Sequence, residues 1–392
     1  MDKLTDNLNS FTETANNWRP SVLVLGPGGV KGFLELGALL ILEKEKYLDN
    51  IKTYVGVSIG SILSFLIVTG YTITEIIKEA MDFDLFQDIS ILSLGDIKKA
   101  FVQAKKNAGL LPHNKIKEKL SQLMIEKFNR VLTLKELYMA TGLELVTITT
   151  NLDKDIAEYL SWKTYPNLSA VEAVLMSMNI PLLFYQIIYG EDNDVYIDGA
   201  FSNPYPIDQY DDKKTDILGI YIATPKKTEK PIGTDICYYL YKIISSGMVQ
   251  LRKRNKKMAS ARCKHLKLTT AIIDTVGIAV TFDAKCQMIY NGYFTAKRFF
   301  EELKQIHHTI VIHGAELNKI MEKMTEDDCK DGKEDNGQAV EKEKLDEKIP
   351  DITITCPKTI ERATELADIS SIMELLQDIR LNKENINDDK ES

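Results

Sequence analysis

The chain has 392 residues, 44% hydrophobic and 27% charged, with 57 acidic against 49 Lys and Arg side chains and a formal net charge of −8. This apolar content is enough for a large core, and the acid excess belongs to one end: residues 315–392 hold 22 acids and 12 bases, leaving the remainder near neutral. Five scattered cysteines (Cys237, Cys263, Cys286, Cys329, Cys356), an odd number without C-x-x-C spacing, exclude a zinc framework and point to reduced thiols in an intracellular setting.

In chain order, residues 1–19 read as an extension whose start, Met1-Asp2-Lys3-Leu4-Thr5-Asp6, is polar and acidic and shows no signal-peptide pattern. Ser21–Leu25 is an apolar strand running into Gly26-Pro27-Gly28-Gly29-Val30-Lys31-Gly32. Phe33, Leu34, Leu36, Gly37, Leu40 and Ile41 then recur with helical spacing to about Leu48. Backbone N–H groups at a glycine turn before a helix form an anion site. In acyl transfer that anion is the tetrahedral oxygen, and one donor is worth on the order of 10²–10³ in rate. Pro27 occupies the first glycine of a dinucleotide fingerprint and no acidic residue follows at the required distance, which weighs against a Rossmann site; the P-loop pattern is absent.

Thr53–Val57 is a second short strand, and 59–69 a buried helix, with Ser58 at their junction inside Gly56-Val57-Ser58-Ile59-Gly60. A nucleophile needs such a strained strand-to-helix turn to lift its hydroxyl clear of the sheet. Gly56 and Gly60 stand where a Cβ would meet neighbouring backbone. The longest apolar run, Val55–Tyr71, contains Gly, Ser and Thr and falls short of the ~20 residues of a membrane span. The chain therefore reads as soluble or peripheral to a membrane.

Further strands are predicted at 144–150, 184–189, 195–197 and 216–223, alternating with helices, which implies an α/β fold with a mainly parallel sheet. Val195-Tyr196-Ile197 enters Asp198-Gly199-Ala200, which by itself reads as a turn. None of the five histidines (His113, His265, His307, His308, His313) follows an apolar strand as a triad histidine does. A base for Ser58 must then be a carboxylate, and Asp198 is the candidate.

A basic segment, Arg252 to Lys267, contains no acid and follows the apolar Ile236, Leu240, Ile243, Ile244, Met248 and Leu251. It suits peripheral contact with an anionic membrane, and no nucleic-acid-binding motif accompanies it. Thr325–Lys348 is charged and free of aromatics, so it is expected to be disordered, and Thr359 caps a predicted helix to about Leu381 inside the acidic tail. Whether the stripe on that helix packs back or meets a protein partner is open.

Taken together, the glycine loop, the serine turn and the Asp-Gly-Ala motif, in this order, resemble the patatin-like phospholipase family over about residues 20–310. Val146–Leu152, Ala173–Phe184, Phe282-Asp283 and Asn291-Gly292-Tyr293 match supporting segments of that family. The resemblance implies a three-layer α/β sandwich over 20–314 and a lipid acyl hydrolase without metal or cofactor. It implies Ser58 as nucleophile, Asp198 as base, Gly28 and Gly29 as oxyanion donors, and Lys31 at the family's basic position, with Gly26, Gly32, Gly56, Gly60 and Gly199 as motif support. Pro27 departs from the family's glycine run: it has no N–H to give. Two other readings stand beside the hydrolase. One is a non-catalytic lipid- or partner-binding module on the same fold; the other is an esterase with a triad histidine near Ser58.

Overall fold

The computed structural model describes residues 18–82, 107–223, 236–270, 280–328, 374, 376 and 377. The first half runs β1 (Val22–Leu25), α1 (Gly32–Lys44), β2 (Thr53–Val57), α2 (Ile59–Val68), α3 (Ile73–Asp82), β3 (Gly109–Leu111), α4 (Asn114–Phe128) and α5 (Leu134–Thr141). The second runs β4 (Glu144–Asn151), β5 (Ile156–Leu160), α6 (Ala170–Ser177), β6 (Leu182–Phe184), β7 (Ile187–Tyr189), β8 (Asp194–Asp198), β9 (Ile217–Ala223), α7 (Ile236–Met258), β10 (Cys263–Thr269) and α8 (Phe282–Asp328). Trp18–Glu302 is one compact unit.

Eight strands form the central sheet in the order β10-β9-β1-β2-β4-β8-β7, with β5 on the other edge of β4. The neighbours from β10 to β4 are parallel, while β5, β7 and β8 pair antiparallel. All eight residues of β4 are buried, as a sheet covered on both faces requires.

Strand alternation assigns the two faces. Val22, Val24, Val55, Val57, Ile217 and Tyr221 join one apolar cluster, on which Met248 of α7 packs. The alternate residues face α2 and α6: Thr147 Oγ1 donates to Ala173 O (3.0 Å) and Thr149 Oγ1 to Met176 O (3.1 Å). On the same face, a Cβ on Gly56 would lie 2.4 Å from Gly60 O and from Ser61 Cα. Gly56 and Gly60 thus let α2 press on the sheet directly after Ser58. On α1, Glu35 is fully buried with neither carboxyl oxygen hydrogen-bonded among the described residues; burial raises its pKa well above the carboxylate range, which keeps it protonated.

Four expectations need correction. The strand predicted at 184–189 is two: β6 pairs with β3 and β7 with β8. Between them the Tyr185 and Gln186 amides turn to Leu111 O (2.8 Å) and Asn107 O (3.0 Å), partners a local pattern does not reveal. The helix predicted to about Leu48 ends at Lys44. The basic segment 252–267 is not one surface: its last residues form β10, an edge strand with Lys267 turned outward, a usual guard against edge pairing. Finally, α8 continues through the expected 314/315 boundary and the first residues of Thr325–Lys348 to Asp328. The remainder of that stretch lies outside the described residues, as does the predicted helix at 359–381 apart from Glu374, Leu376 and Gln377, which are helical.

Candidate active site

Strand pairing brings the serine and the aspartate together. On one edge of β4, β2 arrives from below, its last residue Val57 opposite Ile148. From the other direction β8 arrives antiparallel, its last residue Asp198 opposite Thr149. The two strands therefore meet end to end along that edge, and Ser58 and Asp198 face each other where they stop. The Ser58 side chain lies close enough to the Asp198 carboxylate to lower its pKa.

Ser58 has φ 57° and ψ −122°, a region a side chain enters only when its surroundings force it. Its N–H donates to Ser177 Oγ (3.1 Å) at the end of α6, and its carbonyl accepts from Ser61 N (2.9 Å) and Ser61 Oγ (2.6 Å). These bonds hold the strained turn that aims Oγ at Asp198. Ser58 is 5% exposed and Asp198 3%. Asp198 Oδ1 also accepts from Ala200 N (2.8 Å). Burial lifts the Asp198 pKa to about 6; the nearby Ser58 side chain and the Ala200 hydrogen bond oppose that rise without cancelling it. Gly199, beside it, has no room for a side chain, since a Cβ would lie 2.1 Å from Ile148 O.

The glycine loop faces the same place. Gly26 N still donates to Ile220 O (3.0 Å) of β9, and the chain leaves the sheet at Pro27. Gly29 has φ 54°, which a glycine adopts without cost. Neither Gly28 N nor Gly29 N has an acceptor among the described residues. The loop packs on Ile59, the residue after Ser58: Cβ atoms on Gly28 and Gly32 would lie 3.7 and 2.5 Å from its side chain. Lys31 is 8% exposed and outside the cavity wall, so it is no solvated helix-start lysine; burial lowers its pKa.

Gly29 and Ser58 line one wall of a cavity of about 190 Å³. Its other walls are mostly apolar, among them Phe33, Leu63, Leu66, Ile116, Leu120 and Phe184, with Glu79, Lys119 and Lys285 as the charged exceptions. A serine hydroxyl, amides without an acceptor among the described residues and a mostly apolar cavity thus converge. Such an arrangement would suit an ester carbonyl with a hydrocarbon chain behind it.

No metal-binding cluster of His, Cys, Asp or Glu occurs among the described residues. Nor does a histidine there hydrogen-bond Ser58: His113 reaches Asn179 (3.1 Å) and His265 reaches Tyr205 (2.9 Å). His307, His308 and His313 lie on α8, their side chains outside the described set. Sequence reasoning assigned no role to Ser177, Asn179 or His113, because each acts through partners remote in the chain.

Residues 23–211 match the family model for patatin-like phospholipases. Over 196 residues the chain is 31% identical to the probable lipid hydrolase 463L of Invertebrate iridescent virus 6, covering 49% of this chain and 64% of that protein. It thus spans just under two thirds of that relative. Over 221 residues it is 29% identical to the uncharacterized protein YqhO of Bacillus subtilis, covering 53% and 72% of the two chains. Among solved structures it is similar to VipD from Legionella pneumophila, at 16% identity over 72% of this chain and 67% of that one, with a TM-score of 0.46. It is also similar to the type III effector ExoU, at 13% identity over 74% and 53%, with a TM-score of 0.41.

Proposed function

We propose, from the match of residues 23–211 to the patatin-like phospholipase family model, a lipid acyl hydrolase that cleaves carboxylic esters of (lyso)phospholipids or other glycerolipids. The observation that carries the reading is the meeting of Ser58, on the wall of a mostly apolar cavity, with the buried Asp198 carboxylate where β2 and β8 end. Asp198 takes the hydroxyl proton as Ser58 Oγ attacks the ester carbonyl carbon, and the Gly28 and Gly29 amides hold the resulting oxyanion. The C–O bond to the alcohol breaks, the alcohol takes the proton back from Asp198, and an acyl-serine remains. Asp198 then accepts a proton from water, whose oxygen attacks the acyl carbon; the C–Oγ bond breaks, Ser58 Oγ takes the proton back from Asp198, and a fatty acid is released. With donors at Gly28 and Gly29, Pro27 stiffens the loop without removing one. Mixed phospholipid vesicles incubated with the protein should yield free fatty acid and the matching lysophospholipid by mass spectrometry. Vesicles bound but left intact would instead favour the non-catalytic module.

A peripheral membrane contact belongs to the same reading, and one stripe of α7 supports it better than the whole 252–267 segment does. Arg252 and Lys256 are engaged with Tyr221 and the Ile222 carbonyl, and Arg262 pairs with Asp216 (3.0 Å). Tyr239 (44% exposed), Ile243 (53%), Lys253, Arg254 and Lys257 lie outward on α7, at helical spacing that shares one face. The whole helix has six basic residues and no acidic one. Apolar anchors followed by cations suit an anionic lipid surface. Replacing Lys253, Arg254 and Lys257 together by Ser should weaken sedimentation with anionic vesicles, as should added salt, and leave neutral vesicles unaffected. Unchanged anionic binding would remove α7 from this role. Among the described residues, no helix is long and apolar enough to cross a membrane.

A further inference from the structure

β8 reaches the site with one of its edges incompletely paired. On that edge β7 stops with Ile187 opposite Tyr196, two residues short of Asp198. The remaining rung is made by a residue outside any strand. Asn179 accepts the Asp198 N–H at its backbone carbonyl (2.8 Å), while its side-chain Nδ2 donates to Tyr196 O (2.8 Å). One buried residue thus engages two groups along the strand edge that ends in the proposed base.

The orientation of the Asn179 amide is set from the other side by a histidine. With Nδ2 committed to Tyr196 O, Oδ1 is left as an acceptor, and His113 Nε2 lies 3.1 Å from it. The neutral imidazole must then carry its proton on Nε2. Burial lowers the His113 pKa, which favours that neutral form, while the Asn179 hydrogen bond opposes it. The ring is itself held: it stacks on Phe184, a wall of the cavity, with centroids 5.1 Å apart, and it immediately precedes α4, which adds Ile116 and Leu120 to the same cavity. β3, two residues upstream of His113, pairs with β6, so ring and asparagine belong to segments already laddered together.

We infer that His113 is a positioning residue for Asp198, acting through Asn179: it fixes the amide that completes the edge of β8 and so holds the carboxylate at the Ser58 hydroxyl. The inference rests on the Ser58–Asp198 reading for its consequence in catalysis, but not for its geometry. Without the histidine, Oδ1 loses its donor in a buried place, the amide can rotate away from Tyr196, and the last rung loosens. Misplacement of a base by about 1 Å lowers turnover by up to about 100-fold without touching substrate binding.

The test has two arms. In the first, kcat and KM are measured on p-nitrophenyl butyrate for wild type, His113→Ala, His113→Gln, Asn179→Ala and the His113→Ala/Asn179→Ala pair. The expected result is a fall in kcat of about 10- to 100-fold for His113→Ala with KM nearly constant. His113→Gln, whose amide can donate to Oδ1, should recover most of it. The double variant should be no slower than Asn179→Ala, because the histidine acts through the asparagine. A His113→Ala kcat equal to wild type, a glutamine no better than alanine, or multiplying losses in the double variant would each overturn the inference. In the second arm, hydrogen exchange reads the Asp198 amide directly and should quicken in His113→Ala while the β1 and β2 amides stay protected. If wild type cleaves no ester, the hydrolase reading falls, and exchange alone decides: an Asp198 amide as slow in His113→Ala as in wild type sinks the positioning role.

Discussion

Ser58→Ala is expected to reduce ester turnover by about 10⁴-fold or more, and to abolish labelling by a fluorophosphonate probe that marks the wild-type protein. The size follows from the way nucleophile and base act as one unit, so that removing either forfeits nearly everything the pair supplies. The fold should be indifferent. The bonds from Ser58 N to Ser177 Oγ and from Ser61 to Ser58 O do not involve the lost hydroxyl. Alanine at φ 57° carries the same backbone strain as serine. Glycine does not: Ser58→Gly should be as inactive as alanine yet more stable, by about 1 kcal/mol or more, because glycine occupies that conformation freely. A thermal melt beside the labelling experiment separates the two effects. Labelling that persisted in Ser58→Ala would place the reactive serine elsewhere and end this account of the site. Lipid binding by a wild type that takes no label would leave the fold with a binding role.

The parts of the site legible from sequence are those whose geometry is local. The Ser58 turn could be read because a side chain on Gly56 would strike the Gly60 backbone four residues on, although Gly60 is itself required by its approach to Leu25 and Gly26 at the end of β1. The glycine loop and Asp-Gly-Ala could be read because each follows a short apolar strand and is bounded by residues with special backbone needs. The site's support was not legible. Ser177 lies 119 residues from the amide it holds, and His113 lies 66 from Asn179. Nothing in a serine inside an apolar helix, or in a histidine after a Leu-Pro pair, signals a partner that only the fold supplies. The burial of Lys31 and Glu35 was not legible either: charged residues near a helix start are normally solvent-facing, yet both are buried. The basic run misled through its continuity. Its residues divide between the inner face of α7, an outer stripe of α7 and the edge strand β10, and the one-dimensional pattern does not distinguish the three.

The second large effect is expected at the aspartate, and it has two opposite signs. Asp198→Asn should lower turnover by about 10³-fold or more, since an amide cannot accept the Ser58 proton. The same change should stabilise the fold at neutral pH. The sign follows from linkage. Burial raises the folded-state pKa of Asp198 from 3.8 to about 6, so the folded chain holds this proton more tightly than the unfolded chain does. The stability associated with the protonated carboxyl is complete below about pH 4 and is lost as pH rises through about 6, where the folded protein must hold a buried charge. Over that interval the loss is on the order of 3 kcal/mol, and a neutral amide avoids it, less whatever its unpaired NH₂ costs. Melting temperatures of Asp198→Asn and wild type should therefore differ little at pH 4 and clearly at pH 8, with Asn the more stable at the higher value. The wild-type activity profile should show the complementary limb, with kcat/KM falling as pH drops through about 6 because the base is then protonated. A gap in melting temperature of equal size at both pH values would mean that the Asp198 carboxyl does not titrate in the folded state as its burial requires. A limb near pH 4 would mean that the carboxylate is better hydrated than its surroundings imply. A buried charge kept at a cost in stability, beside a serine held in strained backbone, is what a site built for proton transfer requires and what a binding module has no reason to retain.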